Sequence, residues 1–96
     1  MIVVSAGAFM ISPGQCRAAR GLLDWSQQKL AEQSGVAVAT IRQLESGIHE
    51  PRRATLYVVL QSFEMAGVEL LDGNGGGPGV RLRMSNDAQP MESAQG

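Results

Sequence analysis

Apolar side chains recur at helical spacing in successive segments between residues 12 and 66. In the last of these segments, Leu56, Val59 and Phe63 follow the i, i+3, i+7 order of an amphipathic helix. The pattern then changes, because residues 67–84 contain two short apolar runs around a glycine-rich turn, which is typical of a β-hairpin. The chain therefore predicts four helices followed by a hairpin, a mainly α fold.

Capping residues predict where the helices begin and end. Ser12 before Pro13 indicates the start of the first helix, and Gln15 is placed to complete a capping box. Ser26 indicates the start of the second helix, and Gly47 indicates the end of the third. We expect the first helix to end near Leu23, the third to cover Val38 to Ser46 and the fourth to cover Arg52 to Ala66.

Residues 27 to 44 carry the spacing of a helix-turn-helix. Ala31 is small enough to let a second helix cross it closely, and Gly35 provides a left-handed backbone position after the last turn. Ile41 and Leu44 lie three residues apart, so one face of the second helix turns to the core. We expect the outward residues to be Val38, Ala39, Arg42 and Gln43. DNA is the first partner that this motif suggests.

The composition fits one small globular domain, with 96 residues, 44% apolar and 18% charged. A chain of this size has a small core, so burying surface against a second copy would stabilise it, and we expect a dimer. The chain has eight Lys and Arg residues and nine Asp and Glu residues, which gives a net charge of −1. DNA-binding domains are usually more basic, so we expect one subunit to bind weakly and two half-sites to be needed.

The single cysteine, Cys16, excludes an internal disulfide and a cysteine-rich zinc site, and we expect it in the core. Residues 1–11 are apolar but too few to span a bilayer, and they lack the positive charge that opens a secretory signal. We expect them to form an extension before the helical domain, which covers residues 12–66. Residues 85–96 have no apolar period and predict a disordered tail. No membrane association is expected, and the localisation that fits is cytoplasmic.

Two runs, CRAARGLLDWSQQKLAEQSGV and TIRQLESGIHEP, contain the signals R-x-x-R, S/T-Q-x-x-L-A, G-V and I-x-x-x-E-x-G-x-x-x-P. On these signals residues 13 to 66 resemble the Cro/C1-type (XRE-like) helix-turn-helix domain of phage repressors and bacterial transcriptional regulators. The resemblance implies a lambda-repressor-like helical bundle. It also implies a small regulator, most often a repressor, that binds a palindromic operator in double-stranded DNA as a homodimer.

The resemblance also implies a set of DNA contacts. Gln27 matches a family glutamine that binds a phosphate and braces the recognition helix, and helix N-termini favour phosphates. Gln43 can pair with adenine, while Arg42 can reach guanine or a phosphate, or can simply be a solvated side chain. For Arg52 and Arg53 the alternatives are a phosphate contact and solvation. The candidate DNA-binding residues are Gln27, Gln28, Val38, Ala39, Thr40, Arg42, Gln43, Arg52 and Arg53.

Two further positions have structural roles in the resemblance. Arg20 and Glu45 match a family ion pair that ties the first helix to the end of the recognition helix. Ala37 departs from the family, which usually has Ser or Thr there, so a capping oxygen is missing, with an expected loss of about 1 kcal/mol. The phosphate contact of that hydroxyl is missing too.

Two other classes of function stay open beside a DNA-binding regulator. An antitoxin-like or adaptor protein would act mainly through protein contacts made by the hairpin and the apolar N-terminus; a missing self-dimer with an exposed hairpin edge would favour it. An enzyme has little support, because His49 is the sole histidine and no second metal ligand or nucleophile lies at a useful spacing. We expect no catalytic residue, metal or cofactor. If the chain is a dimer, residues 67–84 are the expected contact.

Overall fold

The structure is a computed structural model that describes residues 11–48, 50–72 and 76–83. Within these residues the chain forms α1 (Pro13–Leu23), α2 (Gln27–Ser34), α3 (Val38–Ser46), α4 (Arg53–Met65), β1 (Val68–Leu71) and β2 (Gly79–Leu82). The predicted four helices and C-terminal hairpin are confirmed. The fourth helix begins and ends one residue inside its predicted bounds. The predicted tail at 85–96, and residues 1–10 of the predicted extension, lie outside the described residues.

The helix starts follow the sequence closely. The hydroxyl oxygen of Ser12 accepts from the backbone N–H of Gln15, and the side-chain oxygen of Gln15 accepts from the backbone N–H of Ser12, which is the predicted capping box. Ser26 caps α2 by accepting from the N–H of Lys29. Ala37, at the start of α3, makes no side-chain cap, so the predicted loss of a capping oxygen is confirmed.

The first three helices end at left-handed backbone positions, whereas α4 ends at Ala66 with φ of −85°. Gly35 and Gly47, which follow α2 and α3, have φ of 78° and 73°, as the sequence predicts. The end of α1 at Leu23 is also as predicted, but its cap is Asp24 with φ of 60°. A left-handed aspartate is uncommon, and its short polar side chain makes it one of the few residues that adopt this conformation at low cost.

One apolar core joins the helices to the hairpin. Its largest fully buried side chains are Phe63, Leu30, Ile41, Leu44, Val59, Val68 and Cys16. The ring of Trp25, which lies in the loop between α1 and α2, stacks on that of Phe63 with centroids 6.0 Å apart and packs against the core. Ile11 is also buried in this cluster, so it packs with the helical bundle.

The hairpin packs against α1 and α4. Its strands are antiparallel, with Val68 opposite Leu82 and Leu70 opposite Val80, so these four side chains share the face that turns to the helices. The amide nitrogen of Gln15 donates to two carbonyls at the turn end of the hairpin, on different strands, at 2.8 and 3.0 Å. An isolated hairpin is only marginally stable in water, and these contacts with the helices stabilise it.

Candidate nucleic-acid interface

Exposed side chains cover the outer face of α3. Ala39, Arg42 and Gln43 are exposed, as is Ala37 just before the helix. Among the described residues, neither the guanidinium of Arg42 nor the amide of Gln43 has a hydrogen-bond partner. These two polar groups are therefore free to bind a partner from outside the chain.

Two predicted contact residues on α3 are less exposed. Val38 is half-buried and packs against the core, and Thr40 is also half-buried. The outward face of α3 is therefore narrower than the sequence predicts, because Val38 packs against the core. Only part of each of these two side chains remains accessible.

The opposite side of α3 is held by the carboxylate of Glu45, whose residue is only 5% exposed. Arg20 of α1 donates to both of its oxygens, from Nε to Oε2 at 2.7 Å and from Nη2 to Oε1 at 2.9 Å. Gln27, the first residue of α2, donates to Oε1 from its amide at 2.9 Å. One side chain thus joins three helices, and the Arg–carboxylate pair has the two-bond geometry that is strongest.

Two more α1 residues, Cys16 and Arg17, bond to Glu45 and complete the cluster of side chains around it. The thiol of Cys16 donates to Oε2 of Glu45 at 3.2 Å, and Nη1 of Arg17 donates to the backbone carbonyl of Glu45 at 2.6 Å. That carbonyl lies in the last turn of α3, where carbonyls lack helical partners and a cation is favoured. The sequence predicts Cys16 in the core but no role for Arg17, although Arg17 is the first arginine of the R-x-x-R signal.

Protonation equilibria in the cluster favour a charged carboxylate and a neutral thiol. Burial alone would raise the pKa of Glu45, but hydrogen bonds from Arg20, Gln27 and Cys16, with the charge of Arg20, lower it below its ordinary value. Burial, reinforced by the negative charge of Glu45, raises the pKa of the Cys16 thiol far above its usual range. Glu45 therefore stays an acceptor and Cys16 stays a donor at neutral pH.

The remaining candidates lie at the starts of α2 and α4. Gln28 is exposed and its amide lies 3.5 Å from the carboxylate of Glu32, a weak contact. Arg52 directly precedes α4 without capping it, and Arg53 is its first residue. Both are exposed, and neither guanidinium has a partner among the described residues. Together with Arg42 they are three exposed cations that no carboxylate of the described chain neutralises.

No group of three His, Cys, Asp or Glu side chains in the described part of the chain is arranged to hold a metal ion. His49, the sole histidine, lies outside the described residues. No helix among the described residues has the length and apolar character needed to cross a membrane.

Comparison with known proteins adds one positive finding. A family model described as a helix-turn-helix matches residues 17–66, which is more than half of the chain and includes α2, α3 and α4. No curated protein matches the sequence significantly.

Proposed function

We propose that the chain, which belongs to the Cro/C1-type (XRE) helix-turn-helix family, is a homodimeric repressor acting on a palindromic operator. Members of this family are sequence-specific DNA-binding transcription regulators and not enzymes. The observation that carries this proposal is the contrast between the two sides of α3. Glu45 anchors its inner side to α1 and α2, while Arg42 and Gln43 on its outer side are exposed and unpaired within the described chain.

Base recognition is assigned to the exposed face of α3. The amide of Gln43 can bond adenine through two hydrogen bonds, and the guanidinium of Arg42 can do the same with guanine. The methyl group of Ala39 and the accessible parts of Val38 and Thr40 can contact thymine methyls. Since only two of these side chains are strong donors, the readout is partly apolar.

Phosphate binding is assigned to the starts of α2 and α4. The N-terminus of α2, at Gln27 and Gln28, offers backbone N–H groups and the positive end of the helix dipole. Gln27 is half-buried and already bonded to Glu45, so a phosphate held there would be linked directly to α3. Arg52 and Arg53 add two exposed cations. Such contacts would position the protein without reading sequence.

A dimer is proposed because a single subunit would bind DNA weakly. Two helix-turn-helix motifs related by a two-fold axis would read half-sites about 34 Å apart, one turn of DNA. Pairing doubles both the base contacts and the phosphates neutralised, which offsets the nearly neutral charge of the chain. The hairpin is the proposed contact between the copies, and occupancy of the operator by the dimer is the proposed means of repression.

Selection of binding sites from random duplexes by the wild-type chain tests this function. We expect enrichment of a two-fold symmetric sequence. The variant Gln61→Ala, which changes an exposed residue on α4 outside the assigned contacts, should select the same sequence. If no sequence emerges even at low salt, where phosphate contacts are strongest, sequence-specific recognition by this chain is wrong.

A further inference from the structure

The hydrogen bonds that hold α3 to the other helices converge on one residue. Within the described chain, all of them end on Glu45 in the last turn of α3. Those to its carboxylate come from Cys16, Arg20 and Gln27. The bond to its backbone carbonyl comes from Nη1 of Arg17, at 2.6 Å. At the other end Ala37 provides no side-chain cap, so the polar attachment of α3 lies at its last turn.

The bond from Arg17 differs from the others because it holds the backbone itself. A glutamate carboxylate is joined to its helix through rotatable side-chain bonds, so hydrogen bonds to it leave the helix some freedom to turn. A bond to the carbonyl of the same residue removes much of this freedom. The start of α1 packs at this point too, since a Cβ at Gly47 would lie 3.5 Å from Cγ of Pro13. The end of α3 is therefore fixed against α1 through its backbone as well as through a side chain.

The rotation of α3 about its axis decides where its outer side chains lie. Gln43 and Glu45 lie about 160° apart around the helix, on nearly opposite sides. An α-helix with its side chains has a radius of about 5–6 Å, so a turn of about 10° moves the amide of Gln43 by about 1 Å. A binding group has to be held to within about 0.5 Å of its productive position. A small rotation of α3 would therefore misplace Gln43 against a base.

We propose that Arg17 is a positioning residue for DNA recognition, which fixes the rotation of α3 through the carbonyl of Glu45 and does not touch DNA. The inference rests on the proposed function and names a further residue on which its base recognition depends. Arg17 is exposed and forms no ion pair within the described chain. Because water competes for its donors, we expect its bond to add little to overall stability. Its removal should be seen in recognition.

Binding to two duplexes tests the role of Arg17. One carries the sequence that the wild type selects, and the other is a random sequence of the same length. We expect Arg17→Ala to bind the selected duplex about tenfold more weakly, which corresponds to the loss of roughly one hydrogen bond to a charged group. Affinity for the random duplex, and the slope of log K against log salt, should stay at the wild-type level because no phosphate contact is lost. Arg17→Lys keeps a charged N–H donor and should recover most of the selected binding.

The matched control is Arg83→Ala. Arg83 is exposed, and its Nη2 donates to the backbone carbonyl of Glu64 at 2.9 Å. Glu64 is the next-to-last residue of α4, as Glu45 is of α3. The control variant therefore loses the same charge and the same kind of bond, on a helix to which no base contact is assigned. We expect it to keep the wild-type ratio of selected to random affinity.

Amide hydrogen exchange of the free chains shows whether the bond acts at the end of α3. Arg17→Ala should speed exchange in the last turn of α3 and leave α4 unchanged, whereas Arg83→Ala should do the reverse. Both variants should keep the helical circular dichroism of the wild type. Unchanged exchange in α3 of Arg17→Ala would mean that the bond does not hold the helix end, and the inference would fail.

Three other results for Arg17→Ala would overturn the inference. Equal losses on both duplexes with a shallower salt slope would make Arg17 a phosphate contact. Wild-type affinity for both duplexes would mean that Arg17 has no part in recognition. Loss of helical circular dichroism would make its role one of folding.

The inference and the proposed function fail in different ways. A wild type that selects a sequence, beside an Arg17→Ala variant that binds it equally well, would overturn the inference alone. A wild type that selects no sequence would overturn the proposed function, and the inference with it.

Discussion

The inner and outer sides of α3 differ in how their side chains are used. On the inner side Ile41 and Leu44 are buried, and Glu45 receives hydrogen bonds from α1 and α2. On the outer side Arg42 and Gln43 are exposed, and their side chains have no partner in the described chain. The difference shows how a small domain can hold α3 in a fixed position while its outer residues stay exposed.

Removing the anchor on the inner side should have the largest effect. Glu45→Ala leaves the partly buried guanidinium of Arg20 without its carboxylate, and we expect the free energy of unfolding to fall by up to about 3–5 kcal/mol, the loss for a fully buried pair. Urea denaturation measures this loss. The matched control is Glu69→Ala, which breaks the more exposed ion pair with Arg81 and should cost no more than about 1 kcal/mol. Equal losses in the two variants would contradict the anchoring role of Glu45.

Acid should weaken the same anchor. The pKa of Glu45 is lower in the folded chain than in the unfolded chain, so its charge stabilises the fold fully above the ordinary carboxyl pKa. This contribution is lost as the pH falls through the lowered pKa. Measured from neutral pH downward, the free energy of unfolding of the wild type should fall more steeply than that of Glu45→Gln. Parallel curves would show that Glu45 does not carry this dependence.

On the outer surface, Arg52→Ala and Arg53→Ala should weaken DNA binding without changing base preference. Each removes one proposed phosphate contact, so the slope of log K against log salt should become shallower by about one per residue. Binding measured at several salt concentrations tests this. Arg83→Ala is the control, because Arg83 already donates to Glu64, and it should leave the slope unchanged. A changed base preference in the Arg52 or Arg53 variant would contradict a phosphate role.

A smaller gain is expected at the start of α3. Ala37→Ser adds the missing capping oxygen and should raise the free energy of unfolding by about 1 kcal/mol. Ala39→Ser, two positions along the helix and also exposed, cannot cap and serves as the matched control. Chemical denaturation compares the two. A gain shared by both variants would show that the effect is not capping.

The order of elements could be predicted because their signals are local. The capping box at Ser12 and Gln15 and the left-handed glycines at Gly35 and Gly47 each depend on a few neighbouring residues. The hairpin could be predicted from apolar runs around a glycine-rich turn. The structure confirms these elements, with α4 one residue shorter at each end than predicted.

The contacts between elements could not be predicted in the same way. Gln15 reaches the hairpin 56 and 64 residues further along the chain, and Arg17 reaches a backbone carbonyl of α3. Both depend on how helices cross, which no local pattern specifies. The partial burial of Val38 has the same origin, since helical periodicity gives a face but not the tilt of that face toward its neighbours.

Site selection with Gln43→Ala beside the wild type tests most directly whether the outer face of α3 reads DNA bases. We predict that the variant loses preference at one base position in each half-site, worth about 1–3 kcal/mol, and that its stability and its other preferences are retained. If the variant selects the same sequence as the wild type with the same preference at every position, Gln43 reads no base and the account of α3 is contradicted.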